Sequence, residues 1–259
     1  MTRKLKSLYD LTQLKPLTPA RIGLARAGSS IATREVLAFD LDHARARDAV
    51  HLPFDPEAIA SQLDARQIPS IRVHSAAADR TTFLQRPDLG RQLDAPSRQL
   101  LQPHRSPDKE GYDLAVVIAD GLSARAVHSN AIALVDCFQA HCANHGWRWA
   151  PVVVASQARV ALADEIGELL HARLAVILIG ERPGLSAADS MGIYLTHAPR
   201  VGRTDAERNC ISNIRQAGLS PEKAARQLHA LMAAAFERGL SGVKLKPALS
   251  VPLFRKNEE

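Results

Sequence analysis

Two stretches of the sequence combine charged side chains, glycine and a thiol in a way that suits ligand binding. Residues 174–185 (LAVILIGERPGL) form an apolar run that ends in Gly180, Glu181 and Arg182. Ligands of open parallel sheets bind beyond the carboxyl ends of the strands, so Glu181 is a candidate ligand contact, although it could instead pair with Arg182. Residues 203–215 (RTDAERNCISNIR) read as a polar loop in which Cys210 is either an inert thiol or a second ligand contact.

Asp120 ends another apolar run and has three open roles. A carboxylate in this position can contact a ligand, cap the following turn or receive an arginine. Farther along, the sequence offers four residues of the types that bind zinc. On one helix, however, the second cysteine points roughly 100° away from the other three side chains, so we predict no metal site. These four residues are Cys137, His141, Cys142 and His145.

The signatures of common nucleotide-binding and hydrolytic sites are missing from the sequence. No G-x-G-x-x-G occurs, and the glycines Gly23 and Gly28 lack the lysine that a phosphate loop requires. G-x-S-x-G is also absent, so the Ser, His and Asp residues form no recognisable hydrolase pattern. The sequence therefore predicts neither a common nucleotide-binding site nor a hydrolytic site of these kinds.

Composition indicates a globular protein with an aliphatic core. Of the 259 residues, 46% are hydrophobic, and no apolar run approaches the roughly 18 residues that span a bilayer. Three cysteines do not make a disulfide framework, so we expect a reducing, cytoplasmic location and no membrane association. The net charge of +6 indicates either a solvated surface or a face for an acidic partner. Without basic runs that alternate with aromatic residues, we expect no nucleic-acid binding.

Strand and helix patterns alternate through the second half of the chain, which predicts an α/β fold with a parallel sheet. We predict a smaller, mostly helical region at 1–107 and the α/β domain at 108–259. A Ser220 cap and Gly239 bound the last predicted helix, and Ser129 or Asn130 is expected to cap an earlier one that ends at His145. The predicted helices are 31–50, 55–65, 129–145, 160–171 and 220–239. The predicted strands are 71–75, 113–121, 149–156, 174–180 and 191–197, the last at an edge of the sheet.

Several segments, in order from about residue 17 to residue 242, resemble one known family. They include LTPARIGLARAG, LQRPDLGRQL, VVIADGLSA, VILIGERPGLSAADSMGIYLTHAPR and DAERNCISNI. GERPGL and NCISNI are highly specific in combination. On these segments the chain resembles the small (light) subunit of adenosylcobalamin-dependent ethanolamine ammonia-lyase.

The resemblance implies a fold, a reaction and a set of contacts. The holoenzyme of this family converts ethanolamine to acetaldehyde and ammonia by radical chemistry, and its heavy subunit, a TIM barrel, binds ethanolamine. The light subunit would be a Rossmann-like corrinoid-binding domain that encloses adenosylcobalamin in a hetero-oligomer of several heavy and light chains. By the same resemblance, Val160, Glu181 and Cys210 would contact the cofactor, and this chain would have no catalytic acid, base or nucleophile of its own.

The resemblance also has a consequence for the location of the protein in the cell. Some family members carry a longer N-terminal extension associated with packaging into a bacterial microcompartment, whereas here the shared segment begins at Leu17. We therefore expect a cytoplasmic protein, and the sequence gives no support for packaging into a microcompartment.

Two other functions remain open besides the one that the resemblance implies. The first is a free-standing nucleotide-binding α/β enzyme. The second is a scaffold or nucleic-acid binder without catalytic activity.

Overall fold

A computed structural model describes residues 11–18, 20–143 and 145–245, with the backbone alone for 11–13. These residues form an α/β fold with one mixed sheet of six strands and seven α-helices. None of the described helices combines the length and the apolarity that a bilayer span requires.

The segment that precedes the first strand of the main sheet contains little β-structure. A 3₁₀ helix, Leu11–Leu17, precedes the short hairpin of β1 (Arg26–Ala27) and β2 (Ser30–Ile31). The long helix α1 (Thr33–His51) follows and confirms the prediction for residues 31–50. Helix α2 (Pro56–Asp64) begins as predicted, because the Asp55 carboxylate accepts a hydrogen bond from the Ala58 amide. The expectation of a loose arm or a short helix at 1–16 falls mostly outside the described residues.

The six-stranded sheet has the order β3-β5-β4-β6-β7-β8. The first four strands run parallel, whereas β7 is antiparallel to β6, and β8 is antiparallel to β7. Helices cover both faces of the parallel part, so its central strands are apolar on both faces. The strands are β3 (Ser70–His74), β4 (Tyr112–Ala119), β5 (Val152–Ser156), β6 (Ala172–Gly180), β7 (Met191–His197) and β8 (Arg208–Ile214).

Two expectations about the sheet were wrong. The sheet is mixed, whereas we predicted a parallel one. Strand β7 is not at an edge, because β8, whose residues we predicted to form a polar loop, pairs with it and is the edge strand. The sequence pattern of β8 does not indicate a strand, because its buried residues recur at every third position instead of alternating. These residues are Arg208, Ile211 and Ile214. A register shift in the pairing of β7 with β8 accompanies this spacing, as expected of a bulged edge strand.

Two apolar clusters hold the helices against the sheet. On one face, α2, α5 (Ala124–Cys142) and α7 (Pro221–Arg238) pack on the even-numbered side chains of β4 and β6. On the other face, α4 (Ala95–Leu101) and α6 (Leu162–Leu170) pack on the odd-numbered ones. The short helix α3 (Arg80–Gln85), like α4, was not predicted.

Helix boundaries confirm one prediction and correct another. The Ser220 cap and Gly239, with φ at +64°, bound α7 as predicted. Helix α5, by contrast, begins at Ala124, because the Ser123 hydroxyl caps the Ala126 amide. Asn130 therefore lies inside the helix, where its buried side-chain amide donates to the Ala126 carbonyl. The helix ends at Cys142, before His145.

The strand β3 precedes the boundary that we placed at residue 107, yet it pairs with β5 in the main sheet. The first 107 residues therefore contribute a strand as well as helices. The division into 1–107 and 108–259 stays a prediction.

Candidate functional site

Two glycines bring the carboxyl ends of β4 and β6 into backbone contact. A Cβ atom on Gly121 would lie 2.3 Å from the carbonyl oxygen of Gly180, and one on Gly180 would lie 2.2 Å from that of Ser123. The Leu122 amide donates to the same Gly180 carbonyl at 3.0 Å. Because no other residue fits this approach, the backbone from which Glu181 projects is fixed.

Asp120 is buried at the carboxyl end of β4 and stabilises the turn that follows this strand. Its Oδ1 accepts hydrogen bonds from the amides of Gly121 (2.9 Å) and Ala158 (3.0 Å), and its Oδ2 lies 3.3 Å from Nη1 of Arg80. Burial raises the pKa of Asp120 to about 6, although the amides and Arg80 oppose this shift. Of the three roles left open by the sequence, the structure shows the turn cap and the arginine partner.

Glu181 lies just beyond β6, where its carboxylate is held by neighbours on two segments. The Ser190 hydroxyl donates to Oε2 at 2.5 Å, and the Asn213 amide donates to the same oxygen at 3.3 Å. The carboxylate lies across the backbone of Gly192, where an added Cβ atom would be 2.9 Å from Oε1. Among the described residues, no ion pair joins Glu181 to Arg182, so the structure does not show the alternative role as a salt bridge.

Cys210 lies on β8, directly opposite Tyr194 of β7, and not in a loop as predicted. It is solvent-exposed, but the surrounding protein still raises the pKa of its thiol by partial burial, and the charge of Glu181 adds to this rise. The Tyr194 hydroxyl acts in the opposite direction and lowers the pKa of the thiol. Burial raises the pKa of Tyr194 to about 12, helped by Cys210 and Glu181. These mutual effects show that the carboxylate, the phenol and the thiol are neighbours.

Val160 lies in the turn before α6 and is partly buried against the apolar cluster under that helix. Tyr194 packs at the margin of the same cluster. The structure thus places the three predicted residues on one face of the sheet. Cys210 pairs with Tyr194, and the backbone amide of Asn213, on the same strand as Cys210, donates to Glu181. Sequence reasoning missed Tyr194, although an aromatic residue inside an apolar strand pattern was a signal for it. We call Val160, Glu181, Tyr194 and Cys210 the edge surface.

The residues of zinc-binding type are packed among aromatic rings. His145 stacks on Trp147 with ring centroids 4.5 Å apart, and its centroid lies 4.7 Å from that of His229 on α7. Across the described ranges, no group of three or more His, Cys, Asp or Glu side chains is arranged to hold a metal ion. Cys142 is buried in the core, where burial raises the pKa of its thiol to about 12.

The fold and the site define an α/β protein whose mixed sheet carries a polar and aromatic surface at one edge. Comparison with protein families then gives the identification. The family model described as ethanolamine ammonia-lyase light chain (EutC) matches residues 9–246, and the chain belongs to this family.

Curated relatives agree over nearly the whole chain, and each carries the name ethanolamine ammonia-lyase small subunit. The chain is 58% identical over 240 residues to the protein of Ralstonia nicotianae, covering 93% of this chain and 89% of the relative. It is 53% identical over 246 residues to that of Pseudomonas fluorescens (95% and 89%). It is 55% identical over 239 residues to that of Azotobacter vinelandii (92% and 88%).

Proposed function

We propose that this chain is the light subunit of an ethanolamine ammonia-lyase and that it binds adenosylcobalamin together with a heavy subunit. The complex would deaminate ethanolamine, bound by the heavy subunit, to acetaldehyde and ammonia. Membership in the light-chain family supports the proposal, because the relatives' names identify them as small subunits of this enzyme. The two competing functions, a free-standing nucleotide-binding enzyme and a non-catalytic scaffold or nucleic-acid binder, gain no such support.

The observation that carries the cofactor proposal is the composition of the edge surface. A corrin is a broad, largely apolar ring with amide arms. The apolar Val160 and the ring of Tyr194 suit its plane, and the small exposed Cys210 suits its rim. We therefore propose a Rossmann-like corrinoid-binding domain in which the edge surface forms one wall of the pocket and the heavy subunit forms the other.

Glu181 is suited to hold an amide arm of the corrin. Within the described part of the chain, both hydrogen bonds to its carboxylate go to Oε2. Oε1 therefore has acceptor capacity for an amide N–H, and a charged acceptor makes a stronger hydrogen bond than a neutral one. The Ser190 and Asn213 donors fix the carboxylate, so its orientation is set before the cofactor binds.

When bound, adenosylcobalamin supplies the homolysis of its cobalt–carbon bond, which begins the radical reaction. The residues of this chain bind and orient the cofactor and exclude water from one side of it. None of them is assigned a proton transfer, because the substrate lies on the heavy subunit in this proposal.

A second surface suits the heavy subunit itself. Helix α1 exposes four large apolar side chains, and exposed apolar patches on soluble proteins usually mark interaction sites. Leu37 is 63% exposed and Leu41 is 52% exposed. The other two are Val36 and Phe39. We propose that this helix docks on the heavy subunit.

The cofactor proposal is tested by Glu181→Gln in the complex of both subunits, with adenosylcobalamin binding measured by equilibrium dialysis. Glutamine keeps one acceptor oxygen for Ser190 and Asn213 but places an NH₂ donor where the amide arm needs an acceptor. We expect binding to weaken about tenfold, the size of one lost charged hydrogen bond.

The matched control is Glu222→Gln, an exposed position in the first turn of α7, on the opposite face of the sheet. It removes the same charge and should leave the dissociation constant unchanged. Equal dissociation constants for wild type and Glu181→Gln would contradict the proposed amide contact.

A further inference from the structure

A buried ion pair joins helix α6 to strand β8 on the face of the sheet that carries the edge surface. Arg208, the first residue of β8, donates from Nη2 to Oδ2 of Asp164 in the first turn of α6. Their side chains are 3% and 2% exposed, which makes this the most deeply buried ion pair of the residues that the structure describes. The pair therefore belongs to the packed contact between helix and sheet.

Stability does not account for this pair. The guanidinium of Arg208 also donates to the carbonyl oxygen of Arg203 at 2.9 Å and to Oδ1 of Asp205 at 2.7 Å. Its Nε is buried and has no hydrogen-bond partner in the described ranges. Because burying two charges is costly and an unsatisfied donor adds to that cost, apolar side chains of similar volume would be at least as stable here.

The strand side of the pair is continuous with the edge surface. Cys210 follows Arg208 by two residues on β8, so both side chains lie on the same face of the sheet. The pairing with β7 agrees, since Thr196 lies opposite Arg208 and Tyr194 lies opposite Cys210. A fixed point at Arg208 is therefore a fixed point for the strand that carries the thiol.

The helix side of the pair is tied to the turn that holds Val160. The Val160 carbonyl oxygen accepts a hydrogen bond from the Ala163 amide at 3.2 Å, and the Ala161 carbonyl oxygen accepts one from the Asp164 amide at the same distance. Asp164 follows Val160 by about one helical turn. A shift of the first turn of α6 across the sheet would therefore move both residues together.

The other polar contacts of α6 leave this shift open. The Val201 amide donates to Oε2 of Glu168 at 2.9 Å, but Glu168 lies in the last turn of the helix. Glu165 points to the loop before α4, where its Oε2 accepts from the Leu93 amide at 2.8 Å. Among the described residues, the ion pair that joins the first turn of α6 to β8 is the one made by Asp164.

We propose that Asp164 and Arg208 are positioning residues for the proposed cofactor site. Their ion pair holds the first turn of α6 at one place on β8 and so sets the separation of Val160 and Cys210. Apolar side chains would fill the same space without fixing that place, because hydrophobic contacts are non-directional. The inference rests on the proposed function, in which Val160 and Cys210 contact the corrin.

The test replaces the ion pair by apolar side chains in the double variant Asp164→Leu/Arg208→Met, studied in the complex of both subunits. Urea unfolding of the full chain measures stability, equilibrium dialysis measures adenosylcobalamin binding, and visible circular dichroism reports the surroundings of the bound corrin. The variant should be at least as stable as wild type. It should bind adenosylcobalamin about tenfold more weakly, because the site is no longer preorganised, and the spectrum at saturation should change. A role in stability alone would leave affinity and spectrum unchanged.

A single variant decides the question if the double variant does not fold. Asp164→Asn keeps the size of the side chain and an acceptor oxygen for Arg208, so the fold should be retained. A neutral acceptor makes a weaker hydrogen bond than a carboxylate, so binding should weaken about threefold with an intermediate spectrum. An Asp164→Asn complex with the affinity and spectrum of wild type would contradict the proposal.

The matched control is Arg66→Met/Asp136→Leu, which removes a bidentate ion pair on the opposite face of the sheet. Nε and Nη2 of Arg66 donate to the Asp136 carboxylate at 2.7 Å and 2.9 Å. This control should keep the wild-type affinity and spectrum. An equal loss of binding in the control would show that any missing ion pair disturbs the site, which would overturn the inference.

Failure of the inference is distinguishable from failure of the proposed function. If the Asp164→Leu/Arg208→Met complex binds like wild type while Glu181→Gln still weakens binding, the ion pair does not position the site and the proposed function stands. If the wild-type complex does not bind adenosylcobalamin, the proposed function fails and this inference fails with it.

Discussion

Helices α1 and α5 have the same length, nineteen residues, but opposite relations to the rest of the molecule. In α5 ten residues are buried, whereas in α1 Ala49 alone is buried. The Ser123 side chain caps α5, while Ala32 gives α1 no side-chain cap. An isolated helix of this size is only marginally stable in water, so most of its stability must come from packing. Helix α5 packs within this chain, whereas α1 leaves its large apolar side chains exposed, which is why we proposed it as the docking helix.

The largest expected effect contrasts a core leucine with an exposed one. Leu134 on α5 is fully buried, so Leu134→Ala should lower the free energy of unfolding by about 3 kcal/mol through the cavity it leaves. Leu37→Ala on α1 should change it by less than about 0.5 kcal/mol. Urea unfolding of the two variants measures both values. Similar losses would mean that α1 packs on the body of this chain, which would remove the contrast.

A pH-dependent effect should follow at the start of α5, where Asp120 anchors the preceding turn. Burial raises the pKa of Asp120 to about 6, above the value of roughly 3.9 in an unfolded chain. The folded state therefore binds this proton more tightly, so the contribution of Asp120 to stability falls as the pH rises from about 4 to above 6. Relative to Asp120→Asn, which cannot titrate, wild type should lose about 3 kcal/mol across this window, or about 1.4 kcal/mol for each unit of the pKa shift.

Unfolding free energies of both proteins at several pH values measure this effect. The difference in unfolding free energy between wild type and Asp120→Asn should change with pH, because only wild type carries the titrating carboxyl group. Parallel curves would show that the carboxyl group titrates as it does in water and that the turn is less buried than the structure indicates.

The smallest expected effect concerns association with the heavy subunit. Leu37→Asp should weaken the complex about tenfold, since a carboxylate without a partner is costly to bury in an interface. Leu100→Asp on α4 is the control, because Leu100 is also exposed (48%) but lies outside α1. Titration of one subunit with the other measures both dissociation constants. If the two substitutions weaken the complex equally, α1 is not the preferred docking helix.

Much of the fold was predictable from local patterns. The caps Asp55 and Ser220 and the stop at Gly239 gave correct helix ends, because these signals act within one turn of the chain. The apolar runs of β4 and β6 predicted buried strands, because both faces of these strands are covered. Strand β8 escaped prediction, since an edge strand with a bulge has neither an apolar run nor an alternating pattern.

The site was predictable only in part for a related reason. Glu181 stood out because it follows a buried strand, and the resemblance singled out Val160 and Cys210 by their motifs. Their assignment to the cofactor stays a prediction. Tyr194 was missed, because its importance depends on strand pairing with Cys210 rather than on its own neighbours in sequence.

The sequence by itself determined the family, most helix ends and the apolar strands, because each depends on residues close together in the chain. The tertiary structure decided that the sheet is mixed, that Asp120 supports a turn, and that Arg80 and Arg159 meet over the ring of Phe83. These features depend on contacts between residues far apart in sequence. The strand order brings such residues together, and no local pattern encodes that order.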